Sequence, residues 1–152
     1  MKRIIYLIGI LIAVTACKEV FEKPPQALLQ ASFLNSSTKK MLELKVAAIG
    51  MGQDSLWISE TSLQKILLPL SAKDTTSFIF SFDSKIDTIT FFHKTKPTYD
   101  SMDTGFYFEF KLDSIDFTQN RIDSIQISDS LVTQNWHENI KLYIRPLPAG
   151  SN

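Results

Sequence analysis

The stretch Thr76-Ser77-Phe78-Ile79-Phe80-Ser81-Phe82-Asp83-Ser84-Lys85-Ile86-Asp87-Thr88-Ile89-Thr90-Phe91-Phe92-His93 decides the fold. Phe78, Phe80 and Phe82 recur at every second residue, and Ile89, Phe91 and His93 do the same further on. Successive side chains of a strand point to opposite faces, so each run has one apolar and one wetter face. Asp83-Ser84-Lys85 between the runs is a gap of hairpin length. The reading is an antiparallel pair, 76–82 with 86–93, burying a row of phenylalanines. Each buried Phe contributes roughly 2–3 kcal/mol to a core.

The same period extends outward in both directions. Leu42, Leu44, Val46 and Ala48 share a face; so do Phe106, Phe108, Phe110 and Leu112. Ile140, Leu142 and Ile144 alternate with Asn139, Lys141, Tyr143 and Arg145. Helical spacing fits only Thr61 to Leu68 and Pro25 to Ser32, for a turn or two each. Lys96-Pro97-Thr98 and Asp116 to Asn120 read as breaks. Strands are expected near 28–35, 40–49, 55–59, 76–82, 86–93, 104–112, 121–127 and 138–145, with 65–70 a weaker case. The fold class is all-β: a two-layer antiparallel β-sandwich, immunoglobulin-like or similar.

The N-terminus has a different pattern. Met1-Lys2-Arg3 precedes an apolar run from Ile4 to Val14, the arrangement of a secretory signal. Eleven helical residues span only about 16 Å, half a bilayer core, so a retained transmembrane anchor is not expected. Val14-Thr15-Ala16-Cys17 follows, and the chain has one cysteine in all. Here it resembles a bacterial lipobox, which implies that Cys17 is acylated and becomes the mature N-terminus. The resemblance implies several acyl chains, and several together anchor far more firmly than one. Pro24-Pro25 in a charged stretch favours extended geometry. The expected organisation is a signal peptide over 1–16, lipidated Cys17 and tether over 17–27, sandwich over 28–146 and tail over 147–152.

Composition limits the function. The 152 residues carry 16 basic and 16 acidic side chains, and losing Lys2 and Arg3 with the leader leaves a slight acidic excess. A nucleic-acid binder would need a basic stripe to displace counterions, so none is expected as partner. A lone cysteine forms no internal disulfide. At 44% hydrophobic the chain is too apolar for intrinsic disorder.

With lipobox, tether and strand order placed, the whole chain resembles a family of small Bacteroidota lipoproteins carrying a domain of unknown function. The residues that carry this are Cys17, Leu68-Pro69-Leu70 before a polar turn, Gly105-Phe106 opening a strand, and the closing strand from Glu138 through Ile144. A Cys often precedes that Gly in the family; Thr104 stands there in this chain, which removes paired-cysteine chemistry. The resemblance implies an envelope lipoprotein and brings no activity. Lys18-Glu19 is similar to the charged tract after the lipid cysteine of surface-exported members of that phylum, with a single acid.

Chemistry-bearing motifs are sparse. His93 and His137 are the two histidines, and HExxH and cysteine pairs are absent, so no metal or cofactor is assigned. His93 reads as a hydrogen-bonded core or edge residue, and His137 opens the last strand. Asp100 to Gly105 places Asp and Gly as a calcium loop would, but Met102 and Thr104 occupy ligand positions, so the segment reads as a turn. The recurring Asp-Ser pairs read as turn residues. G-x-S-x-G and S-x-x-K are missing, and no catalytic residue is assigned. Trp57, Tyr107, Trp136 and Tyr143 are the candidate ligand-binding residues, since exposed aromatics serve sugar platforms and protein interfaces.

The expected function is a non-enzymatic binding or assembly module, anchored to the outer membrane by its acyl chains and facing the periplasm or the cell surface. Its partner is an envelope protein or glycan. A carbohydrate- or peptide-binding domain using the four aromatics is the alternative, and a small envelope hydrolase built on His137 ranks below both.

Overall fold

A computed structural model of the chain describes residues 26–51, 56–83, 85–102 and 104–147. The leader, Cys17, most of the tether and the end of the tail lie outside the described residues. Ten strands follow in order: β1 Leu28–Asn35, β2 Leu44–Gly50, β3 Leu56–Leu63, β4 Lys65–Pro69, β5 Thr75–Phe82, β6 Lys85–Ser101, β7 Gly105–Phe117, β8 Ile122–Ile127, β9 Leu131–Val132 and β10 Glu138–Ile144. They form a four-stranded sheet, β4-β1-β10-β8, and a six-stranded sheet, β3-β2-β5-β6-β7-β9, packed as a sandwich.

Alternation explains the layers. Leu29, Ala31, Phe33, Ile66, Leu68, Ile140, Leu142 and Ile144 of one sheet are buried against Val46, Ala48, Phe78, Phe80, Phe82, Ile89 and Phe91 of the other. Phe33 meets Phe82 edge-on across the layers with ring centroids 5.9 Å apart, and Phe80 stacks on Phe82 at 5.5 Å. The β5–β6 hairpin pairs Phe82 with Lys85, and Asp83 takes φ +54°, as a two-residue primed turn demands.

Several expectations change. All pairs are antiparallel except β1 with β10, the first strand and the last, which run parallel from Gln30↔Glu138 to Asn35↔Ile144. Thr61 to Leu68 is not helical: β3 and β4 are separated only by Gln64, where the chain turns from one sheet into the other and Phe33 N donates to the Gln64 carbonyl at 2.9 Å. Pro25 to Ser32 enters β1 as extended chain from Leu28 onward. Pro97 does not end β6. Strand β5 stops at Thr75 opposite Phe92, so beyond that point β6 has β7 as its neighbour, and an edge tolerates the missing amide.

The crossing between sheets from β7 to β8 is held by a buried carboxylate. Asp87 lies on the inner face of β6 and is fully buried. Its oxygens accept from Thr118 Oγ1 at 2.7 Å and from the backbone amides of Asn120, Arg121 and Ile122 at 2.8, 2.7 and 3.0 Å. Arg121 then reaches back to Asp83 at 2.9 Å. Asn139, expected on the wet face of the last strand, is also buried. Its Oδ1 accepts from Gln30 N at 3.0 Å and its Nδ2 donates to the Leu131 carbonyl at 2.7 Å, joining the parallel pair to β9.

Candidate functional site

Strands β6 and β7 run well past the rest of their sheet. The pairs His93↔Leu112, Thr95↔Phe110, Pro97↔Phe108 and Tyr99↔Phe106 share one face of the resulting ribbon. His93, Leu112 and Phe110 are buried under the second sheet, whereas Phe108 is 45% exposed, Tyr99 54% and Phe106 73%. The stripe 106–112 therefore belongs to the core only at its C-terminal half, because β1 and β4 end before the ribbon does. Gly105 closes the hairpin with φ +75°, a left-handed conformation that suits glycine. Thr104, which stands where a cysteine was anticipated, bonds to Ser101 and Asp100 within the turn.

Two hollows open at this end of the sandwich. The larger, about 760 Å³, is lined by Met51, Trp57, Leu70, Lys73, Thr76 and Ser77 among others. The smaller, about 300 Å³, lies between Ala27 and Leu70 on one side and Phe106, Tyr107, Phe108 and Phe110 on the other. Pro69 and Leu70 line both.

Trp57 sits beside bulges in the β2–β3 pairing on either side of Ala48, and its Nε1 donates to the Leu67 carbonyl of β4 at 2.8 Å. That bond fixes an indole that remains half exposed. Tyr107 is on the strand that borders the smaller hollow, with its ring on the face opposite Phe106 and Phe108, where it donates to Glu109 at 3.0 Å; partial desolvation and that carboxylate hold its hydroxyl above the usual range. Trp136 donates through Nε1 to the Gln26 carbonyl at 2.9 Å, and Gln26 also lines the smaller hollow. Tyr143 is apart. It lies on β10, bonded to Gln126 at 3.0 Å, with Lys39 Nζ 4.3 Å from its ring centroid. Three of the four aromatics thus gather at one end, and the fourth sits on the outer face of the four-stranded sheet.

The histidines do different work. His93 is buried, hydrogen-bonded to Thr76 Oγ1 at 2.9 Å and packed edge-on against Phe110 at 5.2 Å; burial pushes its pKa down. His137 places Nδ1 at 2.8 Å from the Asn135 carbonyl and Nε2 at 3.0 Å from Asp129 Oδ2. Both neighbours are acceptors and favour the protonated ring, so the Asn135 carbonyl followed by the Asp129 carboxylate raises its pKa. A ring engaged at both nitrogens has no lone pair free to activate a nucleophile. Among the described residues no three His, Cys, Asp or Glu side chains come together.

Asp87, Asn139 and the ribbon's exposed tip were missed in the sequence. An Asp in the apolar phase of a strand was the available signal for the first. No local pattern marks the other two.

The chain's first 17 residues match the prokaryotic membrane lipoprotein lipid attachment site, ending at Cys17. The molecule is thus a membrane-anchored lipoprotein of the cell envelope, a β-sandwich held through its N-terminal lipid. Residues 43–144 match the Family of unknown function (DUF6452), and the chain belongs to that family. Neither the curated proteins nor the solved structures yield a match.

Proposed function

We propose that this lipoprotein is a non-enzymatic binding or assembly module of the outer membrane, of Bacteroidota type, whose working surface is the end of the sandwich where the tether enters. The observation that carries this is the gathering of Trp57, Trp136, Phe106 and Phe108 around two adjoining hollows that share Pro69 and Leu70. Monomeric surfaces scatter single apolar residues, whereas clustered exposed aromatics mark recognition. The engagement of both His137 nitrogens supports the non-enzymatic reading. A photo-crosslinking amino acid at position 57 or 136 tests it in intact envelopes. A discrete adduct from those sites and none from position 143 is expected; adducts from 143 alone, or from no site, would contradict it.

A second reading has its own support. The Trp57 ring is locked by its bond to Leu67, and Ser71, Lys73, Thr76 and Ser77 surround the hollow it faces. A rigid aromatic face with hydroxyls and one cation fits a sugar ring or a short peptide. Titrating envelope saccharides while following Trp fluorescence tests this, and Trp57→Ala should abolish the response while Trp136→Ala leaves it.

A further inference from the structure

The ribbon tip has an occupant that the chain's own geometry indicates. Its apolar face grades outward from buried Phe110 through Phe108, Tyr99 and Phe106 to Met102, which is 94% exposed at the turn. Tyr99 and Phe106 pack edge-on at 5.3 Å, so the tip is a formed apolar surface rather than loose side chains. The opposite face is polar: Lys94↔Lys111, Lys96↔Glu109 and Thr98↔Tyr107. Among the described acids of the ribbon tip, Glu109 is engaged by Thr98, Tyr107 and Lys96, and Asp100 by Thr104. At its tip the ribbon is amphipathic and its apolar side is exposed.

The tether places this surface near lipid. Gln26 lines the hollow floored by Phe106 and Phe108, so the chain leaves the domain at the foot of the ribbon. Eight residues lie between Cys17 and Gln26, a reach of about 30 Å at full extension. We propose that the tip, Tyr99, Met102, Phe106 and Phe108, contacts the bilayer that holds the acyl chains, resting in the headgroup region and fixing which way the sandwich faces. The proposal rests on acylation of Cys17. Aromatic rings at the interface with lysines behind them is the order in which side chains settle at a membrane surface. A protein partner would explain the apolar face equally, but not its position at the point where the tether enters.

The test uses the full lipidated chain with Met102→Cys carrying an environment-sensitive fluorophore, reconstituted into phosphatidylethanolamine–phosphatidylglycerol vesicles. Lys85→Cys, at the start of β6 beside the β5–β6 turn, is the control. At position 102 the emission should shift to the blue on reconstitution and be quenched by spin-labelled lipids, with neither change at 85. Adding Phe106→Ser and Phe108→Ser to the 102 variant should return its emission to that of water. Vesicle-bound protein with a water-like signal at 102 overturns the proposal alone, as does a label already shielded before lipid is added. Protein that fails to co-float with vesicles overturns the anchor and the proposal with it.

Discussion

Asp87 is the side chain whose removal should be felt most. Four donors converge on its two oxygens, three of them backbone amides in the crossing from β7 to β8. Each buried donor left without an acceptor costs about 1–3 kcal/mol. Asp87→Ala is expected to destabilise by at least about 3 kcal/mol on that basis, measured by urea unfolding. Thr118→Val removes a single donor and should cost far less. The histidines give a second residue-scale test, with opposite signs. His93 is held below the ordinary value of 6.5 by burial, so the unfolded chain takes the proton first and stability falls as pH drops below that value. His137 is held above 6.5 by Asn135 and Asp129. Its contribution is fully present below 6.5 and is lost as pH rises through its folded pKa. NMR titration should place His137 above His93, and Asp129→Asn should lower His137 alone. The reverse order would refute the contacts of His137 with Asn135 and Asp129.

At the scale of elements, the ribbon shows what alternation can and cannot reveal. Phe106, Phe108 and Phe110 are indistinguishable in the sequence, since the period reports a shared face and not how far the opposing sheet extends. The structure separates them. Phe110→Ala should cost about 3–5 kcal/mol, whereas Phe106→Ala should stay within about 0.5 kcal/mol. Equal losses at both positions would mean that the tip is covered in the isolated domain. Pro97 misled for a related reason: a proline breaks a central strand, but whether a strand is central depends on where its neighbour stops. Strands 28–35 and 76–82 were legible almost to the residue because Phe and Leu alternate there between polar breaks. Leu131–Val132 was not, being two residues long. Asp87 was hidden because its partners lie more than thirty positions away and three of the four are backbone amides, which carry no side-chain signature.

For the whole molecule, the sandwich itself could be read from inward-facing runs, but its connectivity could not. No local pattern says that β1 should lie parallel to β10, and that pairing sews the beginning of the domain to its end. Asn139 adds to the seam by joining Gln30 to the Leu131 carbonyl. Unfolding should therefore be cooperative, with far-ultraviolet dichroism and Trp fluorescence melting together. Trp57 lies on β3 and Trp136 in the segment before β10, so separate transitions would show that these two regions open independently. The candidate site was only partly foreseeable: the four aromatics were visible as residues, but their division between the tether end and the outer face needed the fold.

A folded sandwich held to the envelope through one thiol is the central claim. Growth with a clickable palmitate analogue, followed by fractionation of the intact chain and of Cys17→Ala, tests that most directly. The intact chain should carry the label and sediment with membranes, while the variant should be unlabelled and keep its β-type dichroism. Equal labelling of the two, or an unlabelled intact chain free in solution, would contradict it.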